Sequence, residues 1–170
     1  MFYNNLKGHI EALLFVHGDP ISAARLGDIL NVDKLNIEEL ICQLKNEMDH
    51  TERGLTIIKV AGGYQLCTKP QLAPILEKLS QTLESKLSAP ALETLSIIAF
   101  RQPITKQEVE NIRGVRVDRV LNRLVERNLI KEVGRKEVIG RPILYGTTEE
   151  FLKCFGLDDI ADLPALPDVN

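Results

Sequence analysis

A set of five arginines has the residue type and spacing in this sequence best suited to binding chemistry. Their intervals of 3, 3, 4 and 4 residues predict a shared helical face, and they are Arg113, Arg116, Arg119, Arg123 and Arg127. Residues 101–141 hold 11 Lys and Arg against 6 Asp and Glu, a local charge of +5. A face of this kind could contact phosphate groups on DNA.

Acidic side chains interleave with these arginines at Glu108, Glu110, Asp118 and Glu126. Opposite charges three or four residues apart on a helix, such as Arg123 with Glu126, partly neutralise each other. Arg is also enriched at protein interfaces. The sequence therefore favours a protein-binding or solvated role for this face. The alternative is a winged-helix transcriptional regulator that contacts DNA through Arg116, Arg119, Arg123 and Arg127.

Other reactive side chains lack a catalytic or metal-binding arrangement. His9 and His17 lie eight residues apart and His50 follows another helix, which is not the spacing of zinc ligands. The Glu38-Glu39 and Asp158-Asp159 pairs fall at a helix start and near the C-terminus, where solvated carboxylates are expected. Because no nucleophile motif or phosphate loop accompanies them, the sequence predicts a protein that is not an enzyme and needs no metal or cofactor.

Composition and charge limit the classes of partner. The net charge of −3 and the pI near 5.7 argue against coating of nucleic acid through the overall field. Cys42, Cys67 and Cys154 are odd in number and form no C-x-x-C pair, which favours a reducing, cytoplasmic compartment. No apolar run reaches the ~18–20 residues that span a bilayer, and no N-terminal signal is recognisable.

The first half of the chain has the pattern of three helices followed by a hairpin. Apolar residues recur with helical spacing from Leu6 to Leu14, from Leu26 to Leu30, and from Ile37 to Met48. Ser22 is predicted to cap the second helix, and Asn36 with Glu39 to begin the third. Two β-rich segments, 55–60 and 64–68, flank Ala61-Gly62-Gly63, which indicates a hairpin. A further helix is predicted from Pro70 to Leu83.

The second half repeats this order at an offset of 83 residues. Pro103-Ile104-Thr105 repeats Pro20-Ile21-Ser22, and Thr105 with Glu108 forms a capping box. A helix precedes this point, with Ser88 as its expected cap, and strands are predicted at 129–133 and 143–147. A short last helix ends at Gly156.

The fold class predicted from this order is mainly α with small β wings (α+β), as two tandem winged-helix domains. Residues 1–84 form the N-terminal domain, residues 85–158 the C-terminal domain, and residues 159–170 a mobile tail.

Several motifs in this sequence resemble those of bacterial segregation and condensation protein B. The resemblance covers about residues 6–164. Its most specific part is Leu87-Ser88 followed by the segment from Ala91 to Pro103. The other segments are Ile10–Phe15 with Gly18, Gly63–Leu66 with Thr68, Ile112–Val115, Gly140–Pro142, Tyr145–Thr148, Phe151-Leu152 and Phe155–Leu157. One departure is Phe100, where the family usually has Tyr.

The resemblance implies a tandem winged-helix accessory subunit of the bacterial condensin complex. Such proteins form homodimers and bind the central region of the kleisin subunit, segregation and condensation protein A, which bridges the heads of the SMC ATPase. Chromosome condensation and segregation would be the process served. The location would be cytoplasmic and nucleoid-associated through the complex, with no membrane contact and with direct DNA binding weak or absent.

Two surfaces are predicted for these partners. The N-terminal domain is expected to mediate dimerisation, because it holds more apolar residues than a unit of its size needs to bury: Phe2, Tyr3, Phe15 and Val16. The alternative is that they fill the domain's own core. The kleisin is expected on the C-terminal domain, where the candidates are Leu92, Leu95, Ile98, Arg101, Gln102, Arg113 and Arg141. The alternative is that the helix bearing Leu92 is covered by the preceding Leu72–Leu83 helix.

Overall fold

Two compact units make up the chain, residues 1–83 and residues 84–170. The structure is a computed structural model that describes residues 5–50, 52–79 and 87–165. The division falls one residue before the boundary expected between residues 84 and 85.

The N-terminal unit contains three helices followed by a hairpin. They are α1 (Leu6–His17), α2 (Ala23–Leu30), α3 (Lys34–Asp49), β1 (Leu55–Val60) and β2 (Gly63–Thr68). The two strands are antiparallel, with Leu55 opposite Thr68. A 3₁₀ turn (Pro70–Leu72) and α4 (Ala73–Leu79) follow, and the rest of the helix predicted to Leu83 lies outside the described residues.

Side-chain caps determine where these helices begin. Ser22 accepts a hydrogen bond from the Arg25 backbone N–H, as predicted. The predicted start of α3 was wrong, because Asp33, rather than Asn36, caps the helix by accepting from the Leu35 N–H at 2.8 Å. Asp33 and Asn36 are both residue types that cap helices, and the earlier of the two is used.

The core of the N-terminal unit comes from one face of each helix and from β1. Its buried members are Ile10, Leu14, Ile21, Ala23, Leu26, Ile37, Ile41, Leu44, Met48 and Ile57. Burial of one such large side chain contributes about 1.5–3 kcal/mol. Lys69 is also buried, and its ammonium donates a hydrogen bond to the Met48 carbonyl at 2.7 Å, which gives one of its three N–H donors a partner.

An isolated β-bridge joins the helical part of this unit to its hairpin. Ile21 exchanges backbone hydrogen bonds with Tyr64 at 3.0 and 2.9 Å. Gly63 permits this approach, because a Cβ at that position would lie 2.9 Å from the Ile21 nitrogen. The bridge therefore depends on the absence of a side chain at residue 63.

The C-terminal unit has the same order with a third short strand. Its elements are α5 (Ala89–Arg101), β3 (Ile104–Thr105), α6 (Lys106–Arg113), α7 (Asp118–Glu126), β4 (Ile130–Arg135), β5 (Ile143–Thr147) and α8 (Glu149–Phe155). The sheet order is β3-β5-β4, with both pairs antiparallel. The β4–β5 hairpin is the wing.

Local signals in this unit fix most element ends. The Thr105–Glu108 capping box is present, and Gly114 ends α6 in the left-handed conformation with φ +70°. Gly156 ends α8, as predicted. Ser88 occupies the N-cap position of α5 but makes no side-chain capping hydrogen bond, which differs from the expectation.

The C-terminal core continues beyond the predicted end of the domain. Its buried members are Ala91, Leu95, Ile98, Ala99, Ile104, Val109, Val117, Leu121, Leu124, Leu129, Ile130 and Phe151. Ile160 and Leu163 pack against this core around a 3₁₀ turn (Ile160–Asp162) that Asp159 caps. The packed chain thus extends past residue 158, into the segment expected to be a mobile tail. Residues 166–170 lie outside the described residues.

The two units repeat each other at the positions that the sequence aligned. Ile21 bridges Tyr64 in the first unit, and Ile104, 83 residues later, pairs with Tyr145 in the second. Leu26 and its counterpart Val109 are both fully buried. Both units are therefore winged helices, and the predicted fold class is confirmed.

Candidate partner-binding surfaces

The first helix of the C-terminal unit, α5, was expected to present an apolar partner surface. Leu95 and Ile98 cannot belong to it, because both are fully buried in the unit's own core. Leu92 is 42% exposed and Arg101 is exposed. The prediction was wrong for Leu95 and Ile98, because both lie on the side of α5 that faces the core, together with buried Ala91, Thr94 and Ala99.

Leu92 instead contributes to an open, largely apolar groove of about 590 Å³. The groove is lined by Leu87, Leu92, Arg127, Leu129, Glu150, Cys154 and Phe155. Phe155 stacks on buried Phe151 with ring centroids 4.7 Å apart and remains 47% exposed. Phe155 was not predicted as a surface residue. The spacing of four residues between Phe151 and Phe155 could have indicated this contact, because residues four apart are neighbours on a helix and a buried ring can pack against an exposed one.

Gln102, a predicted partner contact, joins two elements of its own domain. Its amide oxygen accepts from the Thr147 backbone N–H at 2.7 Å, and its amide nitrogen donates to the Thr147 hydroxyl at 3.0 Å and the Ala99 carbonyl at 3.3 Å. These bonds hold the C-terminal end of α5 against β5. The polar groups of Gln102 are therefore used within the fold.

Arg113 is also an internal residue. Its side chain is only 9% exposed, and one guanidinium nitrogen donates to the Pro90 carbonyl at 2.9 Å and the Thr94 hydroxyl at 2.6 Å. The other lies 3.0 Å from the Glu93 carboxylate. Nε is buried without a partner among the described residues. Arg113 thus fastens the end of α6 to the first turns of α5, and its donors are not presented to a partner.

Arg141 belongs to the wing rather than to α5 or α6. It follows Gly140 in the loop between β4 and β5, is exposed, and has Glu137 3.7 Å away. Of the predicted partner residues, Leu92 is the one that lines the groove within residues 87–165.

The predicted dimer contacts are exposed where the structure describes them. Phe15 is 72% exposed and Val16 is 82% exposed at the end of α1. The alternative that Phe15 fills its own domain's core is therefore wrong. Phe2 and Tyr3 lie outside the described residues. A large aromatic and a β-branched residue side by side on the surface are typical of an interface.

The five arginines do not share one helical face. Arg113 belongs to α6, Arg116 to the turn, and Arg119 and Arg123 to α7, because the chain changes direction at Gly114. Arg127 is half-buried at the C-cap of α7 and lines the groove. The exposed set is therefore Arg116, Arg119 and Arg123.

The described residues also bear on metal binding, thiol reactivity and membrane insertion. No cluster of three or more His, Cys, Asp and Glu side chains suited to a metal occurs among them. Burial raises the pKa of the Cys67 thiol, and burial with nearby Glu150 raises that of Cys154, which lowers the fraction of reactive thiolate. Within the same residues, no helix has the length and apolar character needed to cross a membrane.

Two winged-helix units with exposed apolar and basic surfaces define a tandem winged-helix binding protein. Residues 8–166 match the family model of segregation and condensation complex subunit ScpB. Segregation and condensation protein B of Moorella thermoacetica is 52% identical over 168 residues, 99% of this chain and 86% of that protein. The same-named protein of Desulforamulus reducens is 49% identical over 166 residues, 98% of this chain and 92% of that protein. The chain belongs to the segregation and condensation protein B family.

A solved structure is also similar to part of the chain. It is a dimer of the ScpB N-terminal domain complexed with ScpA peptide, 35% identical, and it covers 43% of this chain and 91% of that one with a TM-score of 0.42. The description of the family model names a subunit of a segregation and condensation complex.

Proposed function

We propose that this protein is a non-enzymatic accessory subunit of the bacterial SMC–kleisin condensin complex. In this role it forms a homodimer, binds the central region of the kleisin, segregation and condensation protein A, and thereby contacts the SMC ATPase indirectly. The observation that carries the proposal is the family match over residues 8–166, together with 52% identity to a named relative over nearly the whole chain. The ScpA peptide is the partner of the solved relative, and we extend that class of partner to this chain because both belong to one family.

The solved relative's ScpA peptide is complexed with an N-terminal domain, and we assign the groove beside α5 of the C-terminal unit to a second contact of this chain with the kleisin. Leu92 and Phe155 are large, partly exposed and close to the apolar Leu87 and Leu129, and such grooves accept the apolar face of a helix. The polar Arg127 and Glu150 at the same groove would fix the orientation of a bound segment. In this proposal the buried Leu95 and Ile98 are no longer partner contacts, and the exposed Phe155 takes their place beside Leu92.

Titration of a kleisin central fragment by calorimetry tests the groove. Leu92→Glu and Phe155→Glu should each weaken binding about 30-fold or more, because hot-spot residues contribute about 2 kcal/mol or more. Ile139→Glu is the matched control, since Ile139 is fully exposed on the wing outside the groove. Unchanged affinity in both groove variants, with folding verified by circular dichroism, would place the kleisin elsewhere.

The exposed end of α1 is the surface that we assign to self-association. Phe15→Glu should shift the protein from dimer to monomer in sedimentation at tens of micromolar, because it places a charge in an apolar contact. Leu35→Glu is the control, since Leu35 is equally exposed, at 72%, but begins α3 instead. A dimer that survives Phe15→Glu would exclude this surface.

A further inference from the structure

Three arginines of the C-terminal unit remain without an ion-pair partner. Arg116, Arg119 and Arg123 are exposed, and among the described residues none of them has a carboxylate within 4.0 Å. The sequence predicts that neighbouring acids neutralise them, as in the pair of Arg123 with Glu126. The structure does not form that pair.

The acids that interleave with the arginines are instead occupied by lysines and by the backbone. Asp118 forms an ion pair with Lys106, which lowers the pKa of Asp118 and raises that of Lys106. Glu110 accepts from the Val117 N–H at 3.1 Å. Glu108 is held by Lys136 and the capping box. Lysines are thus the main partners of Asp118 and Glu108, although nearby Arg116 also lowers the pKa of Asp118.

The free arginines occupy the part of the fold that best matches a duplex. Helix α6, the turn at Gly114 and α7 form a helix-turn-helix, and in that motif the second helix meets the DNA through its N-terminal residues. Arg119 and Arg123 are four residues apart and lie on one face of α7. The wing that follows carries exposed Lys131 and Arg135 on β4. Positive groups on two neighbouring elements can contact one phosphate backbone.

We propose that Arg116, Arg119 and Arg123, with the basic strand of the wing, contact the phosphate backbone of duplex DNA without sequence preference. This inference goes beyond the kleisin-binding function and does not depend on it. Phosphate contacts position a protein on DNA and carry no base information by themselves. The net charge of −3 provides no long-range attraction, so the contact is weak and local.

Salt dependence measures the number of phosphates contacted. Binding of a fluorescent 30-base-pair duplex to the full chain is followed by anisotropy from 50 to 200 mM NaCl. Five contacts, from the three arginines with Lys131 and Arg135 of the wing, give a slope of about −4.5 in log K against log salt, which is about a 500-fold loss of affinity over that range. Arg119→Gln/Arg123→Gln should leave three contacts, which reduces the slope to about −2.7 and the loss to about 40-fold. Glu126→Gln should strengthen binding about twofold by removing a nearby acid.

A control variant with the same change in net charge distinguishes a local phosphate contact from an effect of the protein's overall charge. Arg25→Gln/Arg53→Gln removes two arginines from the N-terminal unit and should leave the slope unchanged. No binding at 50 mM NaCl, or equal slopes in both double variants, would overturn the proposal. Binding of polyglutamate with no binding of the duplex would also overturn it and assign the face to an acidic protein. Titration of Arg119→Gln/Arg123→Gln with the kleisin fragment should show unchanged affinity, so failure of either proposal is recognised separately.

Discussion

Replacement of Arg113 tests whether this residue fastens α6 to α5 or contacts a partner. Arg113→Met keeps the apolar stem and removes the donors to Pro90 and Thr94. Hydrogen bonds to a charged group contribute about 1.5–3 kcal/mol each. Two effects reduce the loss, because the Thr94 hydroxyl already donates to the Pro90 carbonyl and because the buried Nε has no partner to lose. The ion pair with Glu93 adds little, since the Glu93 side chain is 63% exposed.

The expected net loss is about 2 kcal/mol in the free energy of unfolding of the C-terminal unit. For a domain of this size that corresponds to about 8–16 °C in melting temperature. Urea unfolding of the full chain by circular dichroism, fitted for two units, provides the measurement. Arg141→Met is the control and should change the free energy by less than about 0.5 kcal/mol, because Arg141 is exposed. Equal stability of the two variants would refute the fastening role, and loss of kleisin binding without loss of stability would restore Arg113 to the partner surface.

Three further predictions concern the folded units. Gly63→Ala should destabilise the N-terminal unit by about 1–3 kcal/mol in urea unfolding, because its Cβ would meet the Ile21 backbone at 2.9 Å; a neutral effect would mean that the bridge can shift. Lys136 and the Thr105 cap lower the pKa of Glu108 to about 2, so the ionised carboxylate stabilises the folded protein above its unfolded pKa, and this contribution is lost as pH falls from about 5 to 2. The difference in the free energy of unfolding between wild type and Glu108→Gln, about 1 kcal/mol after solvent screening, should therefore disappear over that pH range. A difference that stays constant with pH would contradict the assignment. Leu95→Ala should cost about 2–5 kcal/mol, since Leu95 is 1% exposed; a soluble variant of unchanged stability that fails to bind kleisin would contradict its core position.

Features fixed by neighbouring residues were predictable from the sequence. The Thr105–Glu108 box and the Gly156 helix end involve residues three or four apart, so the local pattern contains all their determinants. Strands β1 and β5 have the predicted bounds for the same reason, because a glycine turn separates each from its partner. The bridge at Ile21 and strand β3 were missed, since pairings this short depend on a distant strand rather than on local propensity.

The candidate site was only partly predictable. Helix α5 is apolar on several sides, so its sequence could not decide that Leu95 faces the core while Leu92 faces solvent. The arginines keep a helical spacing on both sides of Gly114, although the chain changes direction there. Spacing alone could therefore not show that they belong to two helices. The pairing of Asp118 with Lys106, twelve residues away, likewise depends on how two helices meet.

Light scattering coupled to size-exclusion chromatography tests the central claim most directly. The full chain, of 19.1 kDa, is measured alone and after addition of the kleisin central fragment. A dimeric accessory subunit should have twice the chain mass alone and should gain the mass of at least one fragment in the mixture. A mass of 19.1 kDa in both samples, at tens of micromolar protein, would contradict both the homodimer and the kleisin complex.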